Sequence, residues 1–288
     1  MPELPEVETI ARGVQKRVRG DCIVQTWFGS HREPFKTPPA QQATGLEGRA
    51  ILAVHRMGKH IIFELGSAGG SPPAAMRRFN APYSQAQAQW IVHLGMTGRL
   101  LVTTPDGPLA AHTHARLSLA SGRELHFVDP RRFGRLEFRD LRRSPGFSAP
   151  GADPLTIGRE EFAALFHGRR LAIKAALLNQ TLLAGVGNIY ADESLFRAGI
   201  RPRRTSERLT RAELERLRLA LRQVLKHAIR LGGSSVSDYV DANGARGFFQ
   251  LEHCVYLRAG LPCRRCQTPI RRIVVAGRGT HYCPWCQQ

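Results

Sequence analysis

The chain has 288 residues, 42% of them hydrophobic, which is room for two domains with their own cores. Lys+Arg number 42 against Asp+Glu 23, a formal +19 and a pI near 11.0, so a polyanion is the expected partner. No apolar run approaches the roughly 18 residues of a membrane span, and no basic amphipathic helix with bulky aromatics stands out, which puts nucleic acid ahead of a membrane surface. The N-terminus lacks a basic segment followed by an apolar one, so a cytosolic protein is expected.

The chain opens MPELPEVETI. Pro5 suits the first position of a helix, Glu6 and Glu8 suit its first turn, and Val7, Ile10 and Val14 form an apolar stripe. A helix over Leu4–Val14 is predicted, and it leaves Pro2 and Glu3 unexplained. Strands are expected at Cys22–Phe28, Ala50–His55, His60–Leu65, Trp90–Leu94, Ala115–Leu119 and Glu124–Val128. The stretch Gly66–Ala88 is small, polar and Pro-containing, and reads as a long loop. Lys59, one of only five lysines, starts a strand after a glycine. Taken alone it is ordinarily a solvated surface residue. HLGMTG and DPRRFG place Met96 and Phe133 on turns, with Arg131 and Arg132 beside Phe133. Apolar side chains on turns of so basic a protein fit wedges pushed into a base stack, although core filling is their commoner use.

RRSPGFSAPGADP marks a linker near Arg142–Pro154, after which helical periodicity takes over. Short helices are predicted at Glu160–Phe166 and Leu171–Gln180, and another at Asn188–Ala198 ended by Gly199. A longer one starts with a capping box from Thr210 to Glu213 and stops at Gly232-Gly233. Arg169, Arg170 and Lys174 form a second basic cluster, of the kind that is usually a solvated face. Gly185-Val186-Gly187-Asn188 leads into a helix N-terminus, which offers free N–H groups to an anion such as a DNA phosphate, or is an ordinary cap.

Four of six cysteines lie in the last 26 residues, as CxxC, sixteen residues, CxxC. Cys263, Cys266, Cys283 and Cys286 therefore suit one structural zinc with four thiolates. Ile270–Ala276 and Thr280–Tyr282 read as strands of a hairpin with Arg278 at its Gly-flanked tip. The hairpin is either a staple for the C-terminal segment or a finger that also enters DNA.

MPELPEVET, the Gly-Lys strand, HLGMTG, the His112–His114 run, DPRRFG, GVGNIYADESLFRAGI, the Val-Tyr…Pro-Cys run and GRGTHYC…C occur in this order. Together they resemble the bacterial formamidopyrimidine-DNA glycosylase family along the whole chain, Pro2 to Cys286. The resemblance implies an α+β multi-domain fold. An N-terminal β-sandwich with a leading helix would occupy 1–140 and a linker 141–155. A helix-two-turn-helix DNA-binding domain would span 156–250, and a four-cysteine β-hairpin zinc finger 251–288.

It also implies a bifunctional glycosylase/AP lyase of base excision repair. Such an enzyme removes 8-oxoguanine and formamidopyrimidines from damaged double-stranded DNA through an N-terminal proline Schiff base and β,δ-elimination. By this resemblance Pro2, once Met1 is removed, is the nucleophile, Glu3 the acid, Lys59 a phosphate contact assisting β-elimination and Arg278 the proton donor of δ-elimination. Met96, Arg131 and Phe133 match the wedge. His112, Arg169, Lys174, Asn188 and Arg278 match DNA contacts, and the loop around Ser237–Gly247 matches a flap over the everted base. A monomer in the bacterial cytoplasm, associated with the nucleoid, is implied, with no membrane partner. Gly66–Ala88 looks longer than usual for the family. Leu4 rather than Gly after Pro-Glu favours this branch over the endonuclease VIII-like one, which prefers oxidised pyrimidines. A non-catalytic zinc-finger DNA-binding protein is the alternative of another class, and intact Pro2, Glu3 and Lys59 argue against it.

Overall fold

The apolar stripe of the first residues folds into a helix, α1, that runs Leu4–Val18, a turn beyond its predicted end. The computed structural model describes residues 1–68, 86–106, 109–236 and 239–288. Two compact units emerge. One comprises Met1–Pro2, Glu6–Ser148 and Ser235–Gly247; the other comprises Glu3–Pro5, Ala149–Ser234 and Phe248–Gln288.

The first unit is built on alternating apolar strands. β1 (Ile23–Phe28), β5 (Arg99–Thr103), β6 (Thr113–Leu119) and β7 (Glu124–Val128) form one antiparallel sheet, in the order β1-β6-β7-β5. β2 (Arg49–Met57), β3 (His60–Ala68), β4 (Ala88–His93) and β8 (Arg135–Asp140) form a second, in the order β2-β3-β4-β8. A short helix, α2 (Pro39–Leu46), precedes β2. One core joins the two sheets: Leu117, Leu125 and Phe127 from the first meet Phe63, Trp90 and Leu136 from the second, with Val7, Ile10, Val14 and Val18 of α1. The sandwich with a leading helix is thus formed as expected. Strands β5 and β8 and helix α2 were not predicted. The loop reading of Gly66–Ala88 lies mostly outside the described residues, but Gly66–Ala68 complete β3 and Ala88 opens β4.

Tyr239 and Ala242 join the same core. Ser235 Oγ donates to Tyr239 O at 2.9 Å and accepts from Gly247 N at 2.9 Å, closing the neck of this segment. Residues 237 and 238 of the expected flap lie outside the described residues.

The second unit packs α3 (Arg159–Ala164), α4 (Ile173–Leu178), α5 (Asn188–Ala198) and α6 (Arg211–Arg230) around Phe162, Phe166, Tyr190, Leu195, Leu217 and Leu221, with Leu4 in the same cluster. α5 stops where Gly199 takes φ 71°, a left-handed C-cap that glycine adopts without penalty. α6 opens with both halves of the Thr210/Glu213 capping box in place. The zinc hairpin consists of β9 (Arg271–Val275) and β10 (Arg278–Tyr282). Arg278 pairs with Val275, so the turn is the two residues Ala276 and Gly277, both at positive φ. Arg278 therefore opens β10 instead of sitting at the tip. Among the described residues no helix is long and apolar enough to cross a membrane.

Candidate functional site

In the first unit, Met57 pairs with His60, which leaves Gly58-Lys59 as the two-residue turn between β2 and β3. Gly58 supplies the positive φ that such a turn needs at its first central position. Lys59 is only 9% exposed, so it is not the solvated surface lysine its isolated position suggested. His93, at the end of β4, is close enough for the Lys59 charge to act on it. Burial first, then the charges of His60, Lys59 and Arg135, lowers His93 to about 4. The imidazole is therefore neutral at pH 7. Its Nδ1 accepts the Gly95 N–H at 3.1 Å, which places its own proton on Nε2, a donor for an anion.

Two turns of this unit are locked together by Asp129, which is wholly buried. Its Oδ1 accepts from Thr97 Oγ1 at 2.6 Å and its Oδ2 from Gly134 N at 2.7 Å. Its N–H donates to His112 O at 3.0 Å, and its carbonyl meets His114 Nε2 at 2.9 Å. A Cβ on Gly95 would fall 2.4 Å from the Phe133 carbonyl carbon, so only glycine lets the turns approach this closely. The result is that Met96 and Phe133 stand out, 41% and 49% exposed. The core-filling reading of these two side chains does not hold. The Arg131 guanidinium lies over the Phe133 ring, 4.7 Å from its centroid, and His112 is exposed beside the same framework. Asp129 and His93 fall within the DPRRFG and HLGMTG motifs, where the sequence alone assigns them no role. The signal available was an acid and a histidine each abutting a Gly-containing turn.

Pro2 is buried behind a half-exposed Met1. In the second unit Glu3, 5% exposed, lays its carboxylate on the N-terminus of α5. Oε1 accepts from Ile189 N at 3.1 Å and Oε2 from Tyr190 N at 3.5 Å. The free N–H groups expected for a phosphate are thus taken by Glu3, an anion of the chain itself. Leu4 N donates to Gly185 O at 3.0 Å and secures the same approach. Asn188 is the first helical residue and not a side-chain cap; its Nδ2 donates to Gly279 O at 3.0 Å.

Arg169, Arg170 and Arg278 are exposed. Lys174 is not: its side chain is 0% exposed and ion-paired to the equally buried Asp192 at 2.7 Å. A direct phosphate contact by Lys174 does not agree with this burial. The structure therefore gathers Glu3, Lys174, Asn188 and the Arg278 strand around α5, and Met96, His112, Arg131 and Phe133 around Asp129. No hydrogen bond or ion pair joins Arg169 to the α5 group among the described residues.

The four cysteines meet as predicted, their sulfurs all within 4.8 Å of one another. Cys263 and Cys286 Sγ lie 3.9 Å apart, Cys266 and Cys283 3.4 Å. A tetrahedral zinc with Zn–S about 2.3 Å needs sulfurs about 3.8 Å apart. Two backbone amides, Arg265 N and Cys286 N, each donate to a sulfur at 3.4 Å, as thiolates require. The donor set fits one structural zinc.

The family model described as the formamidopyrimidine-DNA glycosylase N-terminal domain matches residues 1–136. The H2TH domain model of the same glycosylase matches 150–240, and a zinc finger found in FPG and IleRS matches 260–288. A formamidopyrimidine-DNA glycosylase of Solibacter usitatus is 42% identical over 288 residues, covering all of both chains. One from Thermus thermophilus is 45% identical over 298 aligned positions, covering all of this chain and 98% of that one. Among solved structures, a complex of a Lactococcus lactis FPG variant with Fapy-dG-containing DNA superposes with a TM-score of 0.85 at 34% identity, covering both chains fully. MutM in complex with carbocyclic 8-oxo-G-containing DNA gives 0.83 at 33%, again with full coverage of both. The chain belongs to the formamidopyrimidine-DNA glycosylase family.

Proposed function

We propose that the chain is a bifunctional DNA glycosylase/AP lyase of base excision repair that removes oxidised purines, 8-oxoguanine and formamidopyrimidines, from duplex DNA. The observation that carries the reading is the Glu3 carboxylate held on the α5 N-terminus, one residue after a prospective proline nucleophile. The solved relatives bound to Fapy-dG and 8-oxo-G DNA support the substrate class. The enzyme acts as a monomer, in the bacterial cytoplasm at the nucleoid.

Removal of Met1 turns Pro2 into a secondary α-amine. Such amines have a pKa near 7.7–8, so a useful fraction is unprotonated at pH 7, unlike a lysine. The Pro2 nitrogen attacks C1′ of the damaged nucleotide. The C1′–N bond to the base breaks, the base leaves with its electron pair and a proton, and the sugar ring opens to a cationic iminium. Glu3 carries the proton for base departure or ring opening. The iminium acidifies the C2′ hydrogen; its loss expels the 3′ phosphate, and a second elimination expels the 5′ phosphate. Lys59 holds the phosphate by the lesion and assists the first elimination, and Arg278 donates the proton for the second. Met96, Arg131 and Phe133 fill the gap left by the everted base, with His112, Arg169 and Asn188 on the DNA backbone. Zinc, when bound to Cys263, Cys266, Cys283 and Cys286, supplies no chemistry beyond fixing the hairpin.

Borohydride trapping tests the reading. With an 8-oxoguanine duplex, the Met1-processed protein is expected to yield a covalent adduct that Pro2→Gly loses. Absence of an adduct from the processed protein, or its persistence undiminished in Pro2→Gly, overturns it.

A further inference from the structure

Lys174 has three ammonium protons and three acceptors within reach. These are Asp192 Oδ1 at 2.7 Å, Thr280 Oγ1 at 2.7 Å and Gly279 O at 3.1 Å. With the side chain fully buried, no proton is left for a phosphate. Asp192 uses its other oxygen on β10, where Oδ2 accepts the His281 N–H at 2.8 Å and stands 3.4 Å from His281 Nδ1. Asn188 Nδ2 shares the Gly279 carbonyl with Lys174. The three residues that follow Arg278 are thus gripped in succession, Gly279 by its carbonyl, Thr280 by its hydroxyl and His281 by its amide, from α4 and α5. Thr280 is wholly buried and His281 4% exposed, whereas Arg278 itself projects outward.

The electrostatics place this ion pair next to the chemistry. Burial lowers the proton affinity of Lys174, while Asp192 and then Glu3 raise it, and Arg278 lowers it. Lys174 therefore lies within charge range of both Glu3 and Arg278. A buried ion pair adds little net stability over apolar residues of the same shape, so it is weak as a mere staple. What it does provide is a fixed geometry, since Lys174 bridges Asp192 to Gly279 and Thr280 while Asp192 holds the His281 amide, tying β10 to α4 and α5 in one arrangement.

We propose that Lys174 and Asp192 are positioning residues that set Arg278 for the second elimination, and that Lys174 does not contact DNA. This rests on the assignment of Arg278 to that step. In single-turnover cleavage of an 8-oxoguanine duplex, Lys174→Gln and Asp192→Asn should each slow the second elimination relative to the first by about tenfold or more, the scale of losing about 1.4 kcal/mol of transition-state stabilisation. General loss of folded protein would lower both steps equally and leave that ratio unchanged. The double variant leaves no orphaned buried charge, so it should fold even where a single variant does not, and should be no worse than the worse single. In all three, the slope of log affinity against log salt should equal that of the wild type. A wild-type product ratio in the double variant overturns the proposal. So does a Lys174→Gln slope reduced by about 0.9, the signature of one lost phosphate contact. A wild-type protein that cleaves nothing would instead sink the glycosylase/lyase reading itself.

Discussion

Gly187 shows how one missing methyl serves the site. Its φ of −131° and ψ of −165° are open to any residue, so backbone strain does not demand glycine here. Space does: a Cβ would lie 2.1 Å from Glu3 Cδ and 2.4 Å from Oε1. Gly187→Ala should therefore push the Glu3 carboxylate off Ile189 N and Tyr190 N while leaving Pro2 chemically intact. Positioned proton transfer contributes about 10²–10⁴-fold, so excision of 8-oxoguanine should fall by about 10² or more. Cleavage of a preformed abasic site, from which no base has to leave, should fall far less. Equal losses on the two substrates would mean that the glycine does not protect the Glu3 position.

At the scale of elements, helix α6 depends on a charged cap. The Arg204 side chain, with help from Thr210, holds Glu213 down to about 2 from an ordinary 4.5. The folded value is below the unfolded one, so this stabilisation is complete above about pH 4.5 and is lost as pH falls towards 2. Glu213→Gln should cost about 1 kcal/mol at pH 7, and the gap to wild type should narrow below pH 4.5 and close only as pH falls through about 2. Denaturant unfolding across that range checks it; a gap that does not change with pH would exclude the ionised carboxylate as its source. The capping box was legible because its partners are three residues apart, as was α5, bounded by Gly187 and the left-handed Gly199. β8 was missed because RLEFRD sets only two apolar side chains among charges, and α2 because PAQQATGL is short with no side-chain cap. The motif residues of the site stand out in short local runs, but their roles come only from the resemblance to the family and not from those runs. The burial of Lys174 was not legible: Asp192 lies eighteen positions away, and Gly279 and Thr280 more than a hundred. A lone lysine in sequence carries no mark of partners that only tertiary folding brings to it.

At the scale of the whole molecule, the charge separates general affinity from lesion recognition. Four thiolates and one Zn²⁺ take the formal +19 to +17, still a strong attraction for DNA. Exposed arginines occur on both units, Arg131 and Arg132 on one, Arg169, Arg170, Arg271, Arg272 and Arg278 on the other. If about six phosphates are neutralised, log affinity for undamaged duplex should fall against log salt with a slope near −5. Arg169→Ala should reduce that slope by about 0.9 and leave the preference for lesion-containing over undamaged DNA unchanged, because a phosphate contact carries no base information. Phe133→Ala should do the reverse, keeping the slope while lowering the preference for the lesion, because a ring in the proposed wedge role would offset unstacking only where a base is everted. Titrations of the two variants at several salt concentrations decide it. A changed slope in Phe133→Ala, or a changed preference in Arg169→Ala, would exchange the two roles: the arginine would be reading the lesion and the ring merely resting on the backbone.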